Sequence, residues 1–472
     1  LHQWITHHSH CQQIPLGRLI CAPTMGEPES NHRQLGLFSA TAAVIATMIG
    51  AGIWGTTGGF AFKLGTDTAV LLVWLFCGLL ALTGALSLGE LGGMMPRAGG
   101  CYIFTRHVYG PTAGYLTGVL SSLLAFVGAM AFIALLLGHY VQQFLPGIPS
   151  PVSASVAIVL FTAIHCTGLR EGTRVNNIFM VFKVGVIIAF IIAGLKADGR
   201  TVSIQPSEAT VFSTVFAAAM VSASFAYLGW ETTTFIGGEV KNPGRILPWS
   251  LVIGTLIVIV LYLLINMVYL HAQAPTEMVV TGENGKPQGI GVIGPHVSKI
   301  LFGESMVRWF NGMVVVVLLS SISTITLVGG RVLYAMAGEK QLPDRLGKLN
   351  GRQVPANALL TQGIATLIFI WAANNFGTLG DVLDYIGLPL TIIMGATVAG
   401  VLVLRRREPE VERPFRVPLY PLPPILFIVL ALWMTISVAI ENWQTAVASA
   451  ATVAVVWLLK PVLAQKNPPS TD

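Results

Sequence analysis

Charge is what this chain lacks most. Asp, Glu, Lys and Arg together make up 10% of its 472 residues, against ~25% in soluble proteins. Length alone would suggest about three soluble domains of ~150 residues each. With 54% of residues hydrophobic, too few polar side chains remain to cover such surfaces. Cysteine is sparse too. Cys11 and Cys21 lie in the N-terminal stretch, Cys77 and Cys166 in apolar runs, and Cys101 in what reads as a polar loop. No two stand together in an outer connection, which excludes a disulfide framework. The net charge of +6 is scattered through short connections. It forms no dense basic stripe, so no nucleic-acid partner is expected. There is no Gly-x-x-x-x-Gly-Lys phosphate loop, no His-Glu-x-x-His pair and no elbow serine. ATP-driven pumping and enzymatic chemistry therefore have no visible machinery, and neither cofactor nor metal is expected. Residues 1–34, with His7, His8, His10 and Cys11, read as a disordered tail that contains a second candidate start at Met25, and 464–472 as a C-terminal tail. No secretory signal pattern is visible.

What the chain has instead is long apolar runs and 50 glycines. A membrane crossing needs ~20 predominantly apolar residues. Twelve stretches qualify, at about 35–60, 68–91, 111–143, 152–168, 175–195, 209–238, 247–271, 306–336, 357–373, 380–404, 424–440 and 445–463. An even number puts both termini on one side. With the termini inside, twenty Lys and Arg fall in inner segments and six in outer ones, leaving Lys183 within a span. That bias predicts a multi-pass protein of the cytoplasmic (inner) membrane, in contact with lipid, with both termini cytoplasmic.

Two spans are interrupted. The first reads Ile45-Ala46-Thr47-Met48-Ile49-Gly50-Ala51-Gly52-Ile53-Trp54-Gly55, with glycines that each cost ~1 kcal/mol of helix propensity relative to Ala. The sixth reads Ser224-Phe225-Ala226-Tyr227-Leu228-Gly229-Trp230-Glu231 followed by three threonines. The two lie five spans apart, so the second set of five enters the membrane from the opposite face. Matching interruptions in inverted halves are the sequence pointer to a transporter binding site. Non-helical backbone at membrane depth is tolerated where it lines a cavity. A half-helix starting after Gly52 offers N–H groups to a carboxylate, and carbonyls of the broken sixth span suit an ammonium. Together they fit an α-amino acid head group. The competing reading for the glycines is close helix packing.

These residues resemble a known family. Gly50-Ala51-Gly52-Ile53-Trp54, Gly89-Glu90-Leu91 with Pro96-Arg97-Ala98-Gly99-Gly100, and Thr173-Arg174-Val175-Asn176-Asn177 with Lys183 match its motifs in order. So do Phe225-Ala226-Tyr227-Leu228-Gly229-Trp230, Gly238-Glu239-Val240-Lys241-Asn242-Pro243, Gly330-Arg331 with Tyr334 and Leu342-Pro343, and Arg413-Pro414-Phe415. From about Leu35 to Leu459 the chain is similar to amino acid–polyamine–organocation (APC) transporters, most of all to bacterial relatives of the L-type amino acid transporter light chains. The resemblance implies an all-α membrane protein with a LeuT-like 5+5 inverted repeat of twelve helices. Its first repeat would cover 35–195, its second 209–404, and two accessory helices 424–463. It implies a carrier of amino acids, of the neutral class, working by alternating access without sodium, either proton-linked or exchanging. A cationic amino acid or polyamine carrier is the alternative, because Glu231 stands where the light chains have an amide. The outer connection from Gln142 to Pro151 has no cysteine, so no disulfide-linked heavy chain is expected.

The implied substrate residues are Ile49, Gly50, Ala51, Gly52, Ile53, Phe225, Ala226, Tyr227, Leu228, Gly229 and Glu231, with Phe225 as an aromatic lid. Lys183 would occupy the place where sodium-coupled relatives bind sodium, between helices 1 and 8. Its ammonium can donate to carbonyls freed by the first break and to hydroxyls such as Ser320, Ser321, Ser323 or Thr324; Ser321 and Thr324 are the favoured coupling partners. The competing picture is a lysine snorkelling from the helix end. Glu231 either senses protons or a cationic side chain, or ties the unwound segment in place. Glu90, Arg97 and Arg331, at inner helix ends, are candidate gate residues or topology anchors. Trp54 and Trp230 read as cavity wall or packing, and Pro389 as a kink in the tenth span.

Overall fold

The computed structural model describes residues 33–50, 52–205, 213–281, 287–373, 379–441 and 443–463. Residues 1–32 of the N-terminal tail, the C-terminal tail and Ala51 lie outside the described residues. The rest is almost wholly helical. The first crossing is split into α1 (Leu37–Met48) and α2 (Gly52–Leu64), bent by 41°. Then come α3 (Asp67–Met94), the short α4 (Cys101–Tyr109), and a long helix made of α5 (Pro111–Leu120), a π-helical turn (Ser121–Gly128) and α6 (Ala129–Gln142). These are followed by α7 (Ser150–Thr167), α8 (Leu169–Lys196), α9 (Thr214–Ala226), the single turn α10 (Thr232–Phe235) and α11 (Pro243–Ala272). A small hairpin of β1 (Val279–Thr281) and β2 (Pro287–Gly289) precedes α12 (Ile293–Phe302), α13 (Glu304–Gly338), α14 (Ala356–Ala373), α15 (Leu379–Arg407), α16 (Leu422–Glu441) and α17 (Trp443–Leu463).

Among the described residues, eight helices are long and apolar enough to cross a membrane, and the bent pair α1–α2 makes a ninth. The remaining three stretches expected to cross coincide with shorter apolar helices, Thr214–Ala226, Ala356–Ala372 and Ala446–Pro461. One local expectation changes. Cys101 is not in a polar loop; it opens α4 and is fully buried. After α11 the two short strands pair antiparallel, Val279 opposite Gly289, and the segment that follows them packs on α2. There Gly58 and Gly289 allow the two backbones to meet, since a Cβ on Gly58 would lie 2.2 Å from the Ile290 carbonyl oxygen.

The hairpin marks one side of the molecule. On the far side three segments converge on residues 235–241. The amides of Gln34 and Leu35 both donate to the Glu239 carbonyl at 2.9 Å, and Lys241 N–H donates back to Leu35. Gly99 N–H, after α3, donates to the Phe235 carbonyl at 3.1 Å. Arg331 of α13 donates through Nε to Glu239 Oε1 at 3.1 Å. The far side is thus strapped shut around the end of the broken sixth span.

Candidate functional site

Each break is closed off by residues from other helices. After Met48 the backbone leaves the helix at Ile49, with φ −77° and ψ 91°. The carbonyls released there do not stay bare. Lys183 of α8, fully buried, reaches across and donates from Nζ to the Ala46 carbonyl at 2.9 Å, the Ile49 carbonyl at 2.5 Å and Ser321 Oγ at 2.9 Å. Ser321, on α13, donates in turn to the Ile49 carbonyl at 3.0 Å. All three ammonium hydrogens are accounted for, so this lysine does not snorkel. Of the two favoured hydroxyls the structure brings only Ser321 to it. Thr324 is a correction: its hydroxyl bonds Asn176 Oδ1 and the Ser320 carbonyl. Positions 321 and 324 lie only ~60° apart around a helix but nearly one turn apart along it, and at the second level Asn176 of α8 takes the hydroxyl instead. Ser323 pairs with His165 Nε2 at 3.0 Å.

The sixth span breaks at Tyr227–Glu231. Gly229 has φ +108°, a conformation L side chains rarely adopt. Glu231 is buried, and its Oε2 accepts the Gly229 N–H at 3.2 Å while its own carbonyl accepts from the Thr234 hydroxyl at 2.7 Å. Of the two roles weighed for Glu231, this geometry matches the one that ties the unwound segment, though it ties the segment to itself rather than to neighbouring helices. Tyr227 anchors the turn to α3 by donating to the Trp74 carbonyl at 3.0 Å.

Sequence reasoning missed a stripe on α11. Tyr262, Asn266 and Tyr269, spaced i, i+4 and i+7, are all fully buried and share one helix face. All three serve the first break. The Tyr262 hydroxyl lies 2.7 Å from the Met48 carbonyl oxygen and 2.9 Å from that of Ala226. Asn266 Oδ1 accepts from Thr57 at 2.6 Å, and Tyr269 donates to the Ile53 carbonyl at 3.1 Å. The tyrosines carried no sequence signal, because aromatic residues in an apolar run read as filler; Asn266, a lone amide in that run, was the signal available.

A cavity of about 640 Å³ adjoins both breaks. Its walls are α2, α9 and the turn after it, with α3, α6, α15 and α16 behind, and Gly291 and Val292 after the hairpin reach its mouth. Of the predicted substrate residues, Gly52, Phe225, Tyr227 and Leu228 line it. Ile49, Gly50, Ile53, Ala226, Gly229 and Glu231 do not line it, which corrects the expectation that both breaks present themselves whole. The carbonyls of Ile49, Ile53 and Ala226 are held by Lys183, Tyr269 and Tyr262. Phe225 packs edge-to-face on Phe132, ring centroids 5.4 Å apart. Trp54 and Trp230 also line the cavity, and each makes edge contacts, Trp54 with Phe310 and Trp230 with Phe427. Gly52 lines the cavity and is also a close-packing glycine, since a Cβ there would lie 2.5 Å from Ala226 Cα. Among the described residues no acidic side chain lines the cavity, and Lys63 is its one charged wall residue.

The three gate candidates separate. Arg331 sits at the strapped far side on Glu239, and its Nη1 also donates to the Leu327 carbonyl. Glu90 is a correction. It is 1% exposed and held by Arg405 at 2.6 Å, Arg413 at 3.2 Å and the Val417 amide at 2.8 Å, fastening α3 to the end of α15 away from the breaks. Arg97 is exposed and, among the described residues, makes no ion pair.

The known proteins that resemble this chain are amino acid transporters and exchangers. The chain is 29% identical over 434 residues to the b(0,+)-type amino acid transporter 1 of Mus musculus, covering 88% of this chain and 85% of that one. It is 28% identical over 428 residues to the large neutral amino acids transporter small subunit 2 of Homo sapiens, covering 85% and 76%. It is also 28% identical over 408 residues to the serine/threonine exchanger SteT of Bacillus subtilis (strain 168), covering 85% and 90%. The model of the amino acid permease family matches residues 35–459, nearly the whole described chain, and the protein belongs to that family.

Proposed function

We propose that this chain is a secondary carrier of neutral amino acids, working by alternating access across the cytoplasmic membrane without sodium. Twelve helices cross in this reading, α1–α8 and α9–α15 form the two inverted halves, and both termini are cytoplasmic. The hairpin side is then the exterior, and the strapped far side is the closed inner gate of a carrier whose cavity faces out. The observation that carries the choice of substrate is the cavity wall. It is mostly apolar, and no described carboxylate lines it. A zwitterion with an apolar side chain needs no counter-charge, whereas an arginine or a polyamine would bring uncompensated positive charge into a low-dielectric space. The exchanger and neutral-transporter names of two relatives favour the same reading. The connection between Gln142 and Ser150 has no cysteine, which supports a carrier that works without a disulfide-linked partner.

A thermal-shift screen of purified protein tests this. A ligand that binds only the folded state stabilises it by ~2.7 kcal/mol at a hundredfold excess over Kd. Leucine-like amino acids should raise the melting temperature equally with and without sodium, while arginine and putrescine should not. Stabilisation by polyamines alone sinks the reading. Glu231→Gln is a second check. A glutamine oxygen also accepts from the Gly229 N–H, so uptake should stay within about threefold and its pH profile should not move. A shifted profile would restore Glu231 as a proton or cation site.

A further inference from the structure

The two breaks meet at one hydroxyl. The inner half-helix α1 ends at Met48 and the half-helix α9 ends at Ala226. Both are helix C-termini, where unsatisfied carbonyls and the negative end of the helix dipole concentrate. Tyr262 bridges the two ends, with its oxygen 2.7 Å from one carbonyl and 2.9 Å from the other. A phenol has one hydrogen. That single proton is shared between two acceptors, and among the described residues neither carbonyl has another donor. The released Ile49 carbonyl is better served, with two donors, Lys183 and Ser321. The under-served pair lies where the sequence argument places the substrate ammonium, next to Leu228 and Gly52 on the cavity wall.

We propose that the Tyr262 hydroxyl is a stand-in for the substrate ammonium, holding the ends of α1 and α9 together while the carrier is empty and yielding one carbonyl when an amino acid binds. The inference rests on the carrier reading above. Without a donor at this point, the empty protein would carry two bare carbonyls through the membrane midplane, where lipid and apolar side chains offer no replacement. A loaded protein would not, because the ammonium supplies three donors. The hydroxyl therefore matters most for return of the empty carrier, and least for exchange of one bound substrate for another. Tyr262 is a positioning residue on this account. It acts through the backbone of both broken helices.

The test compares two fluxes in proteoliposomes, both normalised to inserted protein. Exchange is uptake of labelled leucine into vesicles preloaded with unlabelled leucine, and net flux is uptake into empty vesicles. Tyr262→Phe removes only the hydroxyl. It should lower net flux at least tenfold while exchange stays within about threefold. Tyr140→Phe removes a buried hydroxyl on α6 that has no hydrogen-bond partner among the described residues and should change neither. Para-aminophenylalanine at position 262, which restores a donor, should recover net flux. Equal loss of both fluxes in Tyr262→Phe, or loss of neither, overturns the proposal. If Tyr262→Phe does not insert, para-aminophenylalanine and para-methylphenylalanine at position 262 fill the phenol's volume and carry the same comparison. If the wild-type protein exchanges no amino acid at all, it is the carrier reading that fails.

Discussion

Replacing Lys183 with Met should reduce leucine uptake into proteoliposomes by between tenfold and a hundredfold, at equal amounts of inserted protein. Methionine keeps the length and apolar stem of the side chain but removes the ammonium. The Ala46 carbonyl then loses the donor it has in the structure, and Ile49 keeps only Ser321. A buried carbonyl left unsatisfied costs about 1–3 kcal/mol, a factor of roughly 5–150 in the population that depends on it. Arginine should not rescue. Its flat, rigid fork of donors does not match three acceptors gathered around one compact ammonium. Full activity in Lys183→Met would mean that this contact supports the fold alone.

Gly52→Ala should be as damaging as Lys183→Met, while Gly50→Ala, two residues away, should be nearly silent. A Cβ on Gly52 would overlap Ala226 backbone at 2.5 Å, so α2 and α9 would have to part. Overpacking of that kind costs about 1–3 kcal/mol. A Cβ on Gly50 meets its nearest atom, Ser321 Oγ, at 3.7 Å, an ordinary contact. Gly229→Ala combines both penalties: its Cβ would lie 2.6 Å from Thr47 Cγ2, and the residue is at positive φ, worth a further ~1–3 kcal/mol for a non-glycine residue. Melting temperature and uptake measured for the three variants should rank Gly50→Ala first and Gly229→Ala last. Equal behaviour of Gly50→Ala and Gly52→Ala would remove the claim that the two breaks are packed on each other.

The breaks were legible because glycine and polar residues interrupt apolar runs, and interruptions are a one-dimensional signal. Lys183 was legible for the same reason: it is a charge where none is tolerated without partners. Which hydroxyl receives it was not legible, because Ser320, Ser321, Ser323 and Thr324 differ only in their angle around α13. Glu90 shows the same limit. Its acidity pointed to an ion pair at an inner helix end, but its partners Arg405 and Arg413 come from the far end of α15 and the loop beyond, and only the fold brings them there. Tyr262 was hidden altogether. Its role lies in one oxygen atom placed between two carbonyls from distant parts of the chain, and an apolar helix with two tyrosines gives no hint of it.

Uptake of labelled leucine by purified protein in liposomes preloaded with unlabelled leucine, with choline in place of all sodium, tests the central claim most directly. Saturable uptake that excess neutral amino acids abolish and excess arginine or putrescine leaves in place is the predicted result. Uptake that appears only with a sodium gradient, or that putrescine drives and leucine does not, would contradict it.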